Sequence, residues 1–242
     1  MSVVLYQFPI SHFCENVRFA LDYKGIDHQI KNLLPGLHTR TTLKKASNSS
    51  VPVLEHDGRS IQGSEQIITY LDENFPTNPL TPANNELAQQ ALDWERYLDE
   101  EIGVHLRRYI YHTLLDHPKI VIDFFATGGP FWAKPFLKVS FPKLQQIMRK
   151  LMKINPATAA QSKQSVLVAL EKLNDAIDGK DYLVGDTFTR ADLTAVCLLA
   201  PLSMPAQYGL DWPATLPEPL QSDVEALADQ LQWAKAVYGR HR

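Results

Sequence analysis

Two side chains that can take part in thiol chemistry lie close together near the start of the sequence. Ser11 and Cys14 are three residues apart in the stretch SHFCENVRFAL, residues 11–21. They follow the apolar run Val3–Phe8 and begin an amphipathic segment, so they are expected where a buried strand turns into a helix. Exposed N–H groups and the positive end of a helix dipole favour an anion there. A thiol held at this turn would ionise more readily, because positive potential and hydrogen bonds favour the thiolate.

Both side chains also have a purely structural interpretation. Serine is favoured as an N-cap regardless of function, and a free cysteine is usually a small buried hydrophobe. In the first turn of a helix, however, the dipole could lower the pKa of Cys14. The residues alone leave both interpretations open. Cys197, within the apolar run Val196–Leu199, is interpreted as core.

Ser11 and Cys14 must be positioned by the strands and helices around them. Over the first 75 residues, the pattern of apolar residues alternates between that of strands and that of helices. In chain order they are a strand at Val3–Phe8, a helix at 13–24 ended by Gly25, a strand at 28–33, a short helix-permissive segment at 39–46, strands at 51–55 and 59–62 around an Asp57–Gly58 turn, and a helix at 65–75 with Ser64 as its N-cap. The predicted order is therefore βαβ–α–ββα.

The remainder of the chain has helical periodicity. FPTNPLTP, residues 75–82, carries three prolines and cannot continue a helix. Beyond it, apolar residues recur at helical spacing, and Thr189 with Asp192 forms a capping-box pattern at a helix start. We therefore predict a first domain at 1–75, a linker at 76–83 and an all-helical domain at 84–242.

Composition narrows the function classes. The chain has 242 residues, 45% of them hydrophobic, and a net charge of −3, so nothing indicates a nucleic-acid partner. Two cysteines make no disulfide framework, and no Cys/His cluster has zinc spacing, so we expect a reducing compartment and no metal. No secretory signal or apolar run of the ~18 residues that span a bilayer is evident. We expect a cytoplasmic protein without membrane contact.

The order and spacing of these features resemble those of the cytosolic glutathione transferases over nearly the whole chain. Val51–Pro52 matches the family's Val-Pro, whose proline is characteristically cis. Ser64 falls on the serine that opens the next helix, and Thr189–Asp192 matches the family's capping box. The resemblance, to bacterial-type members of unclear class, implies an α+β/α fold: a thioredoxin-like βαβ-ββα domain followed by an all-α helical bundle.

The resemblance also implies roles at the Ser11 turn. Ser11 aligns with the hydroxyl that, in serine-type transferases, donates a hydrogen bond to the sulfur of glutathione. Cys14 takes the place of the second, resolving cysteine of glutaredoxins. The tyrosine of other classes would fall on Gln7, and Tyr6, one residue earlier, is expected on the opposite face of the strand.

For glutathione itself, the resemblance implies main-chain pairing of its cysteinyl part along Val51 and Pro52. Ser64 would hold the γ-glutamyl carboxylate at a helix N-terminus. Gly63 stands where many transferases have an acid, and Gln62 could replace part of that acceptor. His38, or the Lys44–Lys45 pair, is a candidate for the glycine carboxylate.

The electrophile pocket is expected between the domains, lined by helices of the second. The candidates are Arg108, Tyr111 and His112, late in the first long helix. The predicted function is conjugation of the glutathione thiolate to a small hydrophobic electrophile in detoxification, by a homodimer with glutathione as co-substrate. Two alternatives are a non-catalytic glutathione-transferase-like binding protein and a glutathione-dependent thiol transferase or reductase that uses Cys14.

Overall fold

A computed structural model describes residues 2–242 of the chain. Its N-terminal part combines a four-stranded sheet with three helices. The bounds are β1 Val3–Gln7, α1 His12–Tyr23, β2 His28–Asn32, α2 His38–Thr42, β3 Val53–His56, β4 Arg59–Gln62 and α3 Ser64–Asn74. The predicted βαβ–α–ββα order is confirmed.

The sheet places the end of β1 at the centre of the N-terminal part. Its strand order is β2-β1-β3-β4. β1 pairs with β2 in parallel and with β3 antiparallel, so that Leu5 lies opposite Ile30 on one side and Leu54 on the other. Because β1 is hydrogen-bonded to a strand on each side, its end is held in place. The turn from β1 to Ser11 begins at that end.

The two faces of β1 have different surroundings, because side chains alternate along a strand. Val3 and Leu5 join the main core, whereas Tyr6 packs on the other face beside Val53. Gln7 points back toward α1, where it contacts Arg18 (2.7 Å). The predicted opposition of Tyr6 and Gln7 is confirmed.

The rest of the chain is helical, as predicted. The bounds are α4 Asn85–Leu98, a π-helical turn Asp99–Gly103, α5 Val104–Leu114, α6 Pro118–Ala126, α7 Ala133–Leu151, α8 Pro156–Ile177, α9 Arg190–Ser203, a 3₁₀ turn Ala206–Tyr208, α10 Leu220–Ala226 and α11 Gln232–His241. None of the helices within residues 2–242 is both long and apolar enough to cross a membrane.

Helix α9 joins the two parts of the molecule. Almost all of its residues are buried, and it packs against α1, α4 and α11. Its start is fixed by the predicted capping box, in which the Asp192 carboxylate accepts from the Thr189 N–H at 2.9 Å. The core is therefore continuous from the sheet to the helices, and α1 lies at the junction.

One predicted cap is wrong. Ser64 was expected to be the N-cap of α3, but Gly63 holds that position and Ser64 is the first helical residue. Gly63 has a φ of 97°, which glycine adopts without steric cost. The chain can therefore turn into the helix one residue earlier than a serine cap would allow.

Candidate active site

Ser11 caps α1, as predicted. Its Oγ accepts a hydrogen bond from the Cys14 N–H at 3.3 Å, and its backbone is extended. The residue is partly exposed. Because capping uses the hydroxyl oxygen as an acceptor, the O–H proton remains able to donate to a ligand in front of the helix.

The turn before Ser11 is fixed by donors from three directions. The carbonyls of residues 8, 9 and 10 accept from the Ser11 N–H (3.1 Å), the Arg18 Nη2 (3.1 Å) and the Tyr208 hydroxyl (2.8 Å). Tyr208 itself packs beside Trp212, at 5.1 Å between ring centroids. Ser11 is thus held by its own helix and by the helical part of the chain.

Arg18 is in turn positioned by a buried carboxylate. Its Nε donates to Oε2 of Glu15 at 2.6 Å. Glu15 has no exposed surface, and it also accepts from the Tyr238 hydroxyl and from Nε of Arg242. Glu15 therefore links α11 and the residue after it to the helix that Ser11 begins.

Cys14 is fully buried. Burial raises the pKa of its thiol, although the hydrogen bond with Ser11 acts in the opposite direction. Of the two interpretations left open by the sequence, the one in which the helix dipole lowers this pKa is not supported, because the loss of hydration outweighs the favourable contacts of the thiol. The structure favours the interpretation of Cys14 as a small core residue.

The N-terminus of α3 carries the next group of predicted ligands. Within the described chain, no side chain caps this helix, so the N–H groups of its first turn are oriented toward the space in front of Ser64. Gly63 donates its N–H to the Pro52 carbonyl at 3.1 Å, and the Val51–Pro52 bond is cis. This brings Val51 and Pro52 beside Gly63 and Ser64, at the end of the sheet where β3 begins and β4 stops.

Gln62 has a structural role that the sequence did not indicate. Its Nε2 donates to the carbonyls of Asn48 (3.0 Å) and Ser50 (2.8 Å), and its Oε1 accepts from Ser47 Oγ at 3.4 Å. The amide therefore holds the loop that leads to Val51, and its predicted role as an acceptor beside Gly63 stays a prediction.

The two candidates for the glycine carboxylate differ in their availability. The ring of His38 packs edge-on against Phe8 at 4.8 Å, and its Nδ1 accepts from the Gly36 N–H at 3.1 Å. Burial lowers the pKa of His38. Lys45 is paired with Glu55, whereas Lys44 is exposed.

Of the predicted pocket residues, Tyr111 is the one whose contacts lead to the Ser11 turn. Its ring stacks on Phe125 with centroids 6.3 Å apart, and Phe125 meets Phe8 at 5.7 Å. Arg108 turns the other way and donates to the Met152 carbonyl (2.9 Å) and Ser162 Oγ (3.0 Å).

His112, the third predicted pocket residue, has a buried Nδ1 without a hydrogen-bond partner among the described residues. Its contacts do not connect it to the turn. The structure therefore brings Tyr111 to the site and leaves Arg108 outside it.

Arg107, which the set of predicted pocket residues left out, does reach the turn. Its guanidinium lies 5.8 Å from the ring centroid of Phe13. Phe13 also packs so closely on Gly103 that a Cβ there would lie 2.6 Å from its Cζ. The signal in the sequence was the spacing: Gly103, Arg107 and Tyr111 recur every four residues and share one helical face.

Comparison with known proteins agrees with this fold. Residues 5–79 match the family model for the glutathione S-transferase N-terminal domain, and residues 134–218 match that for the C-terminal domain. Glutathione S-transferase 1 of Dianthus caryophyllus is 32% identical over 154 residues, which cover 60% of this chain and 64% of that protein. The chain thus spans less than two thirds of that relative's length.

Solved structures agree in fold over the full length. A glutathione S-transferase domain-containing protein from Marinobacter aquaeolei has a TM-score of 0.67 at 22% identity, covering 98% of both chains. Rice GST1, solved in complex with glutathione, has a TM-score of 0.62 at 18% identity, covering all of this chain and 92% of that one.

A mixed four-stranded sheet with three helices, followed by a helical bundle, defines a thioredoxin-like domain joined to an all-helical one. Together with both domain matches, it places the chain in the glutathione S-transferase superfamily.

Proposed function

We propose that this protein is a glutathione transferase in which Ser11 stabilises the thiolate of bound glutathione. The observation that carries the proposal is the position of the Ser11 hydroxyl. It stands at the N-terminus of α1, where its oxygen accepts from the Cys14 N–H and its O–H can turn from the Cys14 sulfur to a ligand in front of the helix. A thiolate in front of the helix would receive that proton's hydrogen bond and the favourable potential of the helix end.

The surrounding backbone supports glutathione as the thiol. Its cysteinyl part would pair with the main chain at Val51, which precedes the cis Pro52. Its γ-glutamyl carboxylate would be held by Ser64 and the uncapped first turn of α3. In this arrangement, the glycine carboxylate would lie on the side of His38 and Lys44.

The proposed reaction is a displacement or addition at carbon. The thiol proton leaves to solvent, and the sulfur lone pair forms a bond to the electrophilic carbon. In a displacement, the leaving group departs with its bonding electron pair. In an addition, the π electron pair of the electrophile moves to its far atom, which takes a proton from solvent. Ser11 stabilises the attacking thiolate, and the elements around the turn hold that hydroxyl in place.

The test is titration of glutathione into wild type, Ser11→Ala and Cys14→Ser by calorimetry, with thiolate absorbance followed against pH. Wild type should lower the pKa of the bound thiol, and Ser11→Ala should raise it again by about one to two units, the worth of a hydrogen bond to a charged group. Cys14→Ser should keep the lowered pKa. A lowered pKa that only Cys14→Ser abolishes would overturn the assignment to Ser11.

We also propose that the chain acts as a cytoplasmic homodimer in the detoxification of electrophiles. Two free, buried cysteines support a reducing compartment. Light scattering should give a mass near twice the 27.4 kDa of one chain, and a value near 27.4 kDa at micromolar concentration would contradict the dimer.

A further inference from the structure

Arg107 has an unusual electrostatic position beside the Ser11 turn. Its Nε is buried without a hydrogen-bond partner, and none of the ion pairs formed by residues 2–242 includes it. Arginine cannot lose its charge in proteins. A desolvated charge without a partner is costly, so the free protein bears a cost that an anionic ligand would offset.

The neighbouring charges do not provide that compensation. Burial lowers the pKa of Arg107; Tyr111 opposes that shift and the positive charge of Arg108 adds to it. Burial raises the pKa of Tyr111, so its phenol is neutral at neutral pH. Burial and the charge of Arg107 lower the pKa of His12 to about 3, so His12 is neutral. The guanidinium thus lies beside Phe13, partly buried and outside every ion pair formed by residues 2–242.

The side chains around this cation are aromatic. Phe13 lies under the guanidinium. One helical turn further along α5, Tyr111 stacks on Phe125, which meets Phe8. Phe8 and Phe13 flank Ser11 in sequence, so the aromatic rings and the cation border the place where the thiolate is proposed to attack.

We propose that Arg107 selects electrophiles that are small, aromatic and anionic, with a carboxylate or similar group bound to the guanidinium while the ring packs among Phe8, Phe13 and Tyr111. The inference rests on the proposed glutathione transferase activity and names the substrate class of the same site. Arg108 cannot take this role, because Met152 and Ser162 hold it on the other side of the helix.

The kinetic test compares two electrophiles that differ in charge: 4-chloro-3,5-dinitrobenzoate and its methyl ester. In each case, the glutathione sulfur forms a bond to the chlorine-bearing carbon, and chloride leaves with the electron pair. Each kcat/KM is divided by the uncatalysed rate constant with glutathione, which removes the difference in intrinsic reactivity.

Wild type should prefer the carboxylate, and Arg107→Gln should reduce that preference about tenfold, as expected for a lost charge-assisted hydrogen bond. Arg107→Lys should retain part of the preference. Arg240→Gln, which removes an exposed arginine on α11, is the matched control and should leave the preference unchanged. Equal loss with both electrophiles in Arg107→Gln, or no wild-type preference, would overturn the inference.

A binding measurement separates this inference from the proposed activity. The probes are 3,5-dinitrobenzoate and its methyl ester, which lack the leaving group, titrated by calorimetry with glutathione absent and present. Tighter binding of the carboxylate that Arg107→Gln abolishes supports the anion site even if no conjugation is seen, in which case only the proposed activity fails. Equal binding of the two probes refutes the anion site, whatever rate of conjugation is measured. The anion site is also refuted if Arg107→Gln weakens the binding of glutathione but leaves the binding of both probes unchanged.

Discussion

Asp99 lies in the π-helical turn between α4 and α5, where one of its carboxylate oxygens is buried without a hydrogen-bond partner among residues 2–242. Burial, followed by the negative charges of Glu95 and Glu65, raises its pKa from 3.8 to about 7, and Arg190 opposes that shift. Near neutral pH, this carboxyl group therefore holds a proton that it would lose in the unfolded chain.

The pH dependence of stability follows from that difference. Between the two pKa values the folded state binds the extra proton, so stability falls as pH rises from about 4 to about 7. Asp99→Asn, which removes the titrating group at constant shape, should raise the melting temperature at pH 8 relative to wild type and flatten its fall between pH 5 and pH 8. Thermal denaturation at both pH values measures this.

Asp93→Asn is the matched control for Asp99→Asn. Asp93 is on α4, exposed, and bonded to the Gln89 side chain. Its substitution should leave the pH profile of stability as in wild type. A wild-type melting temperature that rises steadily from pH 5 to pH 8, unchanged in slope by Asp99→Asn, would contradict the prediction.

Both cysteines are buried, and burial raises the pKa of each thiol. We therefore expect native protein to react slowly with 5,5′-dithiobis(2-nitrobenzoate), and both thiols to react at once in guanidinium chloride. Cys197→Ala isolates the reactivity of Cys14. Rapid modification of that variant in native buffer would show a reactive Cys14 and revive the thiol transferase alternative.

At the scale of elements, Arg190 fastens the start of α9 to the N-terminal part. Its Nε pairs with Glu95 at 2.6 Å, both side chains being essentially buried, and its Nη2 donates to the Glu65 carbonyl in the first turn of α3 at 3.0 Å. The same guanidinium reaches the hydroxyls of Thr69 and Thr81. The first turn of α3, which carries Ser64, is thus held by a residue more than one hundred positions away.

Arg190→Ala should lower the free energy of unfolding by about 3–5 kcal/mol, because it leaves Glu95 buried without its partner. Urea denaturation measures the change. The double variant Arg190→Met with Glu95→Leu should be less destabilised than Arg190→Ala, since no charge remains uncompensated.

A surface pair provides the comparison for the Arg190 prediction. Arg96 pairs with Glu65 at 3.0 Å, but its side chain is 54% exposed. Arg96→Ala should lower the free energy of unfolding far less than Arg190→Ala does, because water screens an exposed pair. If the buried and exposed arginines prove equally costly, the buried pair does not fasten α9 as inferred.

For the whole molecule, the contacts at α1 and α9 predict one cooperative unfolding transition. The main core is continuous across the two parts, and the bonds of Tyr208 to the Ile10 carbonyl and of Arg190 to the Glu65 carbonyl bridge them. Differential scanning calorimetry should give a single peak with a calorimetric enthalpy close to the van't Hoff enthalpy. Two resolved peaks, one for each domain, would contradict this prediction.

How far the sequence predicts this molecule depends on how local each feature is. The Ser11 cap and the Thr189–Asp192 capping box use bonds within a few residues, and both could be predicted from residue type. Placing the α3 cap at Ser64 failed because glycine permits a conformation that residue preferences for capping do not reveal. The fold class was predicted from the family resemblance that the order and spacing of these motifs carry.

The rest of the site depends on long-range packing. The bond from Tyr208 to the Ile10 carbonyl joins residues 198 positions apart, and no local pattern indicates it. The spacing of Arg107 and Tyr111 places both on one face of α5, but which face meets the Ser11 turn depends on the rotation of α5 about its axis. A π-helical turn separates α4 from α5. The apolar pattern of α4 therefore does not indicate which face of α5 is buried.

Trp212 offers an optical consequence of this packing. The chain has four tryptophans, and Trp212 packs on Tyr208, whose hydroxyl holds the carbonyl just before Ser11, and on Phe124 at 5.8 Å. Its indole N–H donates to the Pro205 carbonyl at 3.0 Å. In a variant that keeps Trp212 alone, emission intensity and anisotropy would act as a built-in reporter of the turn, so that stopped-flow fluorescence could time ligand arrival without an added dye.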